Sequence, residues 1–278
     1  IIDEVTRMNI ESLAKYIQDE KINIALLTPL ILTQNLLFDL DLIIVGGAKS
    51  DQNVLDLYLK NGTKVMNAYG PTEITVISSY KYYTGTGVNI IGKPIQNIQY
   101  YVLNSDLVPL PIGAIGELYI GGIGVARGYL NDSVTTQKQF IANPFRNKYY
   151  QNNSKLYKTG DLVKWLPDGN LEYIGRNDTQ VKRRGVRIEL GEIENAILSF
   201  NGVKKCVVIV QKQMNMDPLV AYYVSDFKLN EVLLEQFIKT RLTEFMIPNH
   251  FIHLEKLPIT VNGKLDIFKL PIPVITKD

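Results

Sequence analysis

The chain has 278 residues, 46% hydrophobic and 21% charged, enough for one large domain or two unequal ones with a buried core. Thirty Lys and Arg against 28 Asp and Glu leave a net charge of +2, so nothing draws the whole chain toward nucleic acid or an anionic membrane. One cysteine, Cys206, and two histidines, His250 and His253, exclude a disulfide scaffold, a multi-Cys zinc site and a multi-His metal cluster.

The first 88 residues read as α/β. Ile1 and Ile2 are followed at once by Asp3, Glu4 and Arg7, which is no signal peptide. Ile10, Leu13, Ala14 and Ile17 recur at helical spacing, with Thr6 or Asn9 as a cap. Ile22–Leu27 is a short β run, Pro29–Leu37 is expected to be a second helix, and Leu42–Val45 is a buried strand ending in Gly46-Gly47. The apolar stretch from Leu26 to Gly47 is broken by Thr28, Pro29, Gln34, Asn35, Asp39 and Asp41, short of the ~20 apolar residues a bilayer requires. Ser50 or Asp51 caps a helix reaching Asn61-Gly62, and Lys64–Tyr69 is the next strand. Strands separated by helices predict βαβ units on a parallel sheet.

Residues 89–177 have a β-rich texture. Tyr100–Leu103, Glu117–Ile120, Leu156-Tyr157, Leu162–Leu166 and Leu171–Ile174 are short β runs between turn signals, which predicts hairpins. From 178 to 278 a small α+β segment is expected. A basic strand Val181–Ile188 leads to a helix Glu192–Phe200, then strands Val207–Val210 and Leu219–Val224, then a helix Asn230–Phe245. That last helix carries Leu233, Leu234, Phe237, Ile238, Arg241 and Leu242 near one stripe. The chain has no initiator Met and is expected to be a piece of a longer, cytoplasmic protein.

Four segments can carry chemistry. Asn67-Ala68-Tyr69-Gly70-Pro71-Thr72-Glu73 puts Thr72 and Glu73 at the carboxyl edge of the sheet, where open α/β folds bind ligands; it also fits a plain strand–turn connection. Asp161 of Tyr157-Lys158-Thr159-Gly160-Asp161 could accept from a ribose diol or merely close an Asx-turn. Gly175-Arg176-Asn177-Asp178 opens a stretch with five basic residues in twelve, followed by Glu189, Glu192 and Glu194. The glutamates suit a helix N-terminus, while the basic run fits a phosphate-bearing ligand or a solvated face. Val261-Asn262-Gly263-Lys264 is a turn that projects a lysine. The glycines of Gly121–Gly128 miss both P-loop and dinucleotide spacing and read as structural turns. A Rossmann oxidoreductase is excluded on the same spacing.

In order and spacing these segments, together with Gly-Glu-Leu-Tyr-Ile-Gly-Gly-x-Gly-Val-Ala-Arg-Gly-Tyr-Leu over 116–130 and Asn-Gly-Lys-Leu-Asp over 262–266, closely resemble the adenylation domains of nonribosomal peptide synthetases, in the acyl-adenylate-forming (ANL) superfamily. The likeness runs from about residue 10 to 272. Asn143-Pro144-Phe145 favours the peptide-synthetase branch over acyl-CoA synthetases and D-alanine–carrier ligases. The resemblance implies a mixed α/β large domain over 1–177, continued by a β-rich subdomain, and a small mobile α+β domain over 178–278. It also implies ATP-dependent activation of an amino acid to aminoacyl-AMP, then transfer to the phosphopantetheine thiol of a peptidyl carrier protein, beside other synthetase modules. Neither nucleic acid nor a membrane is an expected partner.

By similarity, Glu73 would hold Mg²⁺, Thr72 would bond the α-phosphate, and Tyr69 would pack near the adenine. Asp161 would grip both ribose hydroxyls, with Arg176 assisting and Tyr173 nearby. Lys264 would reach between the substrate carboxylate and the α-phosphate, and Asp178 would be the hinge. The matched pocket positions, Leu26, Ile44, Gly46, Ala68, Val76 and Ile77, hold no charge to pair a polar side chain. A hydrophobic amino acid is expected, leucine-like first and Phe or Trp next, with Gly46 and Ala68 leaving depth. The family's phosphate loop and its upstream Asp would precede residue 1, so the isolated chain is expected to be inactive. The alternatives are a non-catalytic module that docks a carrier protein and a D-alanine–carrier ligase-like enzyme.

Overall fold

Helix α1 (Ile10–Asp19) starts where the Asn9 side chain accepts the Ser12 N–H at 2.9 Å, and α2 (Gln52–Lys60) starts where Asp51 accepts the Asn53 N–H at 2.9 Å. Leu13 and Ile17 of α1, and Val54, Leu55 and Tyr58 of α2, bury against Ile43, Val45 and Val65. Those last three belong to the strands beneath, β2 (Leu42–Gly46) and β3 (Lys64–Tyr69). With β1 (Ile24–Leu27) they form the parallel part of the sheet, in the order β1-β2-β3. The computed structural model describes residues 2–3, 6, 9–48, 50–145, 154–177, 181–183, 186–211, 218–259 and 265–273. The chain divides into two compact units, Ile1–Asp178 and Thr179–Asp278.

The expected helix over Pro29–Leu37 is absent: one 3-10 turn, Pro29–Ile31, gives way to extended chain. Leu32, Phe38 and Leu40 are buried in the cluster with α1 and α2, and the Phe38 N–H donates to the Tyr58 hydroxyl at 3.2 Å. Burial of those three side chains and a side-chain acceptor for the backbone replace helical pairing.

The β-rich half continues the same sheet. Strands β4 (Ser79–Tyr82) and β5 (Ile90–Pro94) pair antiparallel, and β5 passes the sheet on to β10 (Leu171–Arg176), β9 (Lys155–Trp165), β7 (Gly116–Gly122) and β6 (Ile98–Leu103). Short β8 (Phe140–Ala142) pairs with β9 after α3 (Ser133–Gln139). The change of texture near residue 88 is therefore not a break in the sheet, whose strands already switch from parallel to antiparallel between β3 and β4. The two runs Leu156-Tyr157 and Leu162–Leu166 belong to one strand.

In the second unit, the basic segment forms a hairpin, β11 (Val181–Arg183) with β12 (Val186–Ile188), where a single strand was expected; the pairing Arg183↔Val186 leaves a two-residue connection. Helices α4 (Leu190–Leu198) and α5 (Glu231–Lys239) cover one face of the sheet β13 (Lys205–Val210), β14 (Leu219–Val224), β15 (His250–Leu254). On β14, Leu219, Ala221 and Tyr223 face those helices, while Val220 and Tyr222 pack with Leu270 on the other side. A strand buried on both faces reads as a continuous apolar run, which Leu219–Val224 is. Helix α5 stops at Lys239, short of Phe245, and a separate 3-10 turn holds Glu244–Met246. Among the described residues no helix is long and apolar enough to cross a membrane.

Candidate active site

Strand β3 ends at Tyr69, and Gly70-Pro71 turns the chain into a 3-10 turn, Thr72–Ile74. Only glycine fits at 70, because a Cβ would lie 2.4 Å from the Val76 carbonyl oxygen. The chain comes back over it through Thr75 (φ 60°) and Val76 (φ 72°), both left-handed. The Ser78 N–H donates to the Tyr69 carbonyl at 2.8 Å, and Ser78 Oγ meets Tyr100 Oη at 2.6 Å. Gly124 and Ala126 brace the turn from below: Thr75 Oγ1 donates to the Gly124 carbonyl at 3.0 Å, and the Ala126 N–H donates to the Glu73 carbonyl at 2.8 Å. The glycine run over 121–128 thus supports the turn that bears Thr72 and Glu73.

Asp161 is delivered from across the sheet by a bulge in β9. On β7, Glu117 pairs with Leu162 and Tyr119 with Lys158, so Leu118 alone stands opposite Thr159, Gly160 and Asp161. The extra residues leave the regular ladder and find other partners. Thr159 Oγ1 donates to the Leu118 carbonyl at 2.7 Å and accepts the Asp161 N–H at 3.0 Å. Gly160 takes φ +73°, and its carbonyl accepts the Asn177 N–H at 2.8 Å. Bulges re-aim side chains next to functional sites, and this one turns the Asp161 carboxylate inward.

Asp161 is 2% exposed. Its Oδ1 accepts from Arg176 at 2.8 Å, its cross-strand neighbour on β10, and its Oδ2 accepts from the Tyr69 hydroxyl. Burial first, and then the Asp161 charge, push the Tyr69 phenol well above its ordinary range, so it stays a neutral donor. A carboxylate offers about four acceptor sites, and these two bonds leave room for a diol. Tyr173 lies three residues before Arg176 on β10 and packs on the cluster that includes Tyr69. Tyr69, Asp161 and Arg176 therefore come together in one place, with Tyr173 on the apolar cluster that Tyr69 joins.

Glu73 is buried, and its Oε1 accepts from the Tyr129 hydroxyl at 2.6 Å. Thr72 beside it is exposed at the turn. Among the described residues no group of three or more His, Cys, Asp or Glu could cage a metal ion. A lone carboxylate still suits Mg²⁺, which binds through one or two carboxylates together with phosphates and water. Glu73 fits that donor set as one ligand.

Four of the six pocket positions share one sheet face. Leu26 pairs with Ile44 and Gly46 with Ala68 in adjacent registers, on the face turned away from α1 and α2. Ile24, Leu26, Tyr80 and Tyr82 on that face are each about half exposed. Val76 and Ile77 follow from the return of the turn, and Val76 is 64% exposed. Gly46 has a second reason to be glycine: a Cβ there would lie 2.8 Å from the Ala68 carbonyl oxygen, so close strand approach demands it apart from any pocket depth. Lys264 and Asp178 lie outside the described residues. Tyr129 and Thr159 escaped the sequence reading, although both sit inside segments it quoted; contacts made 56 and 41 residues away in sequence leave no local signal.

Comparison with known proteins gives two family matches: AMP-binding enzyme over residues 1–130 and AMP-binding enzyme C-terminal domain over residues 192–264. Bacitracin synthase 1 of Bacillus licheniformis is 40% identical over 98% of this chain, which spans 5% of that protein. A solved structure of holo-PA1221, a nonribosomal-peptide-synthetase protein containing adenylation and PCP domains, matches with TM-score 0.78 and 26% identity, covering 93% of this chain and 46% of that one. A holo four-domain nonribosomal peptide synthetase bound to AMP and glycine is 33% identical, with TM-score 0.59, covering all of this chain and 21% of its own.

Proposed function

Given that the chain belongs to the AMP-binding enzyme family, with nonribosomal peptide synthetases as its relatives, we propose that it carries the ribose-facing part of an adenylation domain in such a synthetase. The domain activates a hydrophobic amino acid, leucine-like first and Phe or Trp next. A carboxylate oxygen of the amino acid attacks the α-phosphorus of ATP, the bond to pyrophosphate breaks, and aminoacyl-AMP forms. The thiol of a carrier protein's phosphopantetheine then takes the acyl group and AMP leaves.

The observation that carries this reading is Asp161 held between Tyr69 and Arg176, buried yet with acceptor sites to spare. Asp161 takes the ribose hydroxyls, Arg176 fixes the orientation of its carboxylate, and Tyr69 donates to it beside the base. Thr72 bonds the α-phosphate. Glu73, kept in place by Tyr129, is the carboxylate for Mg²⁺, which when bound neutralises phosphate charge. Lys264 bonds the substrate carboxylate and the α-phosphate, and Asp178 is the hinge that brings it in and withdraws it. The likeness to a synthetase solved with AMP and glycine supports the nucleotide assignment. The apolar face with Leu26, Ile44 and Ala68 supports the substrate class.

The test is amino-acid-dependent ATP–pyrophosphate exchange by the full synthetase protein across the proteinogenic amino acids. Leu, Phe or Trp should lead. A profile led by Asp, Lys or Ser would overturn the selectivity, and an absence of amino-acid-dependent exchange would overturn the activity.

A further inference from the structure

We infer that Glu117 is a positioning residue for the nucleotide: its carboxylate fixes the β9 bulge that aims Asp161. This rests on the reading of Asp161 as the ribose ligand. Glu117 is buried on β7, and its Oε1 accepts the Gly160 N–H at 3.1 Å. That N–H belongs to the one left-handed residue of the bulge, directly before Asp161 in the chain. Its other oxygen, Oε2, lies 3.7 Å from Lys158 Nζ. Burial and the Glu117 carboxylate together push the neighbouring Tyr119 phenol up to about 12, so that phenol stays neutral beside the acid. A buried glutamate inside a strand needs a reason, because an apolar residue would pack there without any desolvation penalty. The reason on view is that Gly160 has lost its ladder partner: Leu118 alone stands opposite three residues, and Thr159 already occupies its carbonyl. With Glu117 removed, the half-buried Gly160 amide loses its carboxylate acceptor, the bulge relaxes, and the carboxylate one residue later moves off Tyr69 and Arg176.

The experiment uses the full synthetase protein and compares kcat/KM for ATP with that for 2′-deoxy-ATP in amino-acid-dependent pyrophosphate release. Glu117→Ala should raise the KM for ATP about tenfold, the worth of one charge-assisted hydrogen bond, and shrink the ATP preference over 2′-deoxy-ATP by a similar factor. The KM for the amino acid should stay within about twofold, since the pocket positions lie on other strands. Glu117→Gln, which keeps an acceptor for Gly160, should recover most of the ribose preference. If Glu117→Ala fails to fold, Glu117→Asp withdraws the carboxylate by one methylene and takes its place in the same assay. Equal losses with both nucleotides, or an equal rise in the amino-acid KM, would make Glu117 a merely structural acid and overturn the inference. Asp161→Ala is the control: unchanged ribose preference there would overturn the ribose reading itself, and this inference with it.

Discussion

The two halves of the large sheet build their candidate residues by opposite means. In the antiparallel half, Asp161 and Arg176 are locked to each other, and to Tyr69 at the end of β3, by directional bonds, and an irregularity in β9 aims Asp161. In the parallel half, Leu26, Ile44, Gly46 and Ala68 sit on regular strands in regular register, with no directional contact among their side chains. A polar site is thus specified bond by bond, and each part can be removed with a defined loss. An apolar pocket is specified only by shape, and its selectivity is a sum of small volume terms.

Asp161→Ala should have the largest effect. It removes the proposed ribose acceptor and the carboxylate that pairs with the largely enclosed Arg176 side chain, so ATP–pyrophosphate exchange by the full synthetase should fall by about 10² or more. Thermal stability should fall with it, since breaking a buried pair costs about 3–5 kcal/mol. Exchange within a fewfold of wild type would erase the distinction between the halves. Next comes Ile44→Ala, which should leave total activity largely intact while moving the preference from Leu toward Phe or Trp by about tenfold or more. Gly46→Val should behave differently from a pocket filler. Its Cβ meets the Ala68 backbone, so a lowered melting temperature is expected with every amino acid affected alike. A clean shift toward small substrates would show that the strands can give way.

Tyr129→Phe removes the donor to Glu73, and about a fivefold to tenfold loss of exchange is expected, offset by raised Mg²⁺ if the carboxylate's orientation is what was lost. An alkaline titration should give the smallest effect. Burial pushes Tyr100 and Tyr119 up to about 12 and raises Tyr69 and Tyr129 as well, all four in or beside the antiparallel half. Unfolded tyrosines ionise near 10, so the unfolded chain releases these protons first. Stability should be flat below pH 10 and fall as pH rises from about 10 to 12, read as melting temperature against phenolate absorbance. A melting temperature unchanged between pH 10 and 12 would mean that the clamp is open to water.

The regular parts of both units were legible in the sequence because their signals are local. The caps at Asn9 and Asp51 stand where the side chains call for them, and Leu219–Val224 is the strand its apolar run requires. Pro29–Leu37 misled because Leu32 and Phe38 follow a tertiary demand, burial beneath Tyr58, which helical spacing cannot reveal. At the site, Thr-Gly-Asp and Gly-Pro-Thr-Glu offered the candidate residues by resemblance, yet how they come together was not readable. Leu156-Tyr157 and Leu162–Leu166 looked like two strands because the bulge between them breaks the alternation, and that break is what aims Asp161. Glu117 stands in a β run and in the 116–130 segment that carries the family resemblance, but no role could be read for it there, since its partner lies 43 residues further along the chain.

Thr75 and Val76 carry a consequence for redesign. Both are β-branched and both sit at positive φ, a conformation that costs a non-glycine residue about 1–2 kcal/mol. Val76 is also a matched pocket position, so recoding the substrate there acts on the backbone as well as on the lining. Replacing it with Asn or Gly relieves the left-handed strain while it opens the wall, and a respecified synthetase could come out more robust than its parent, against the usual trade between new function and stability.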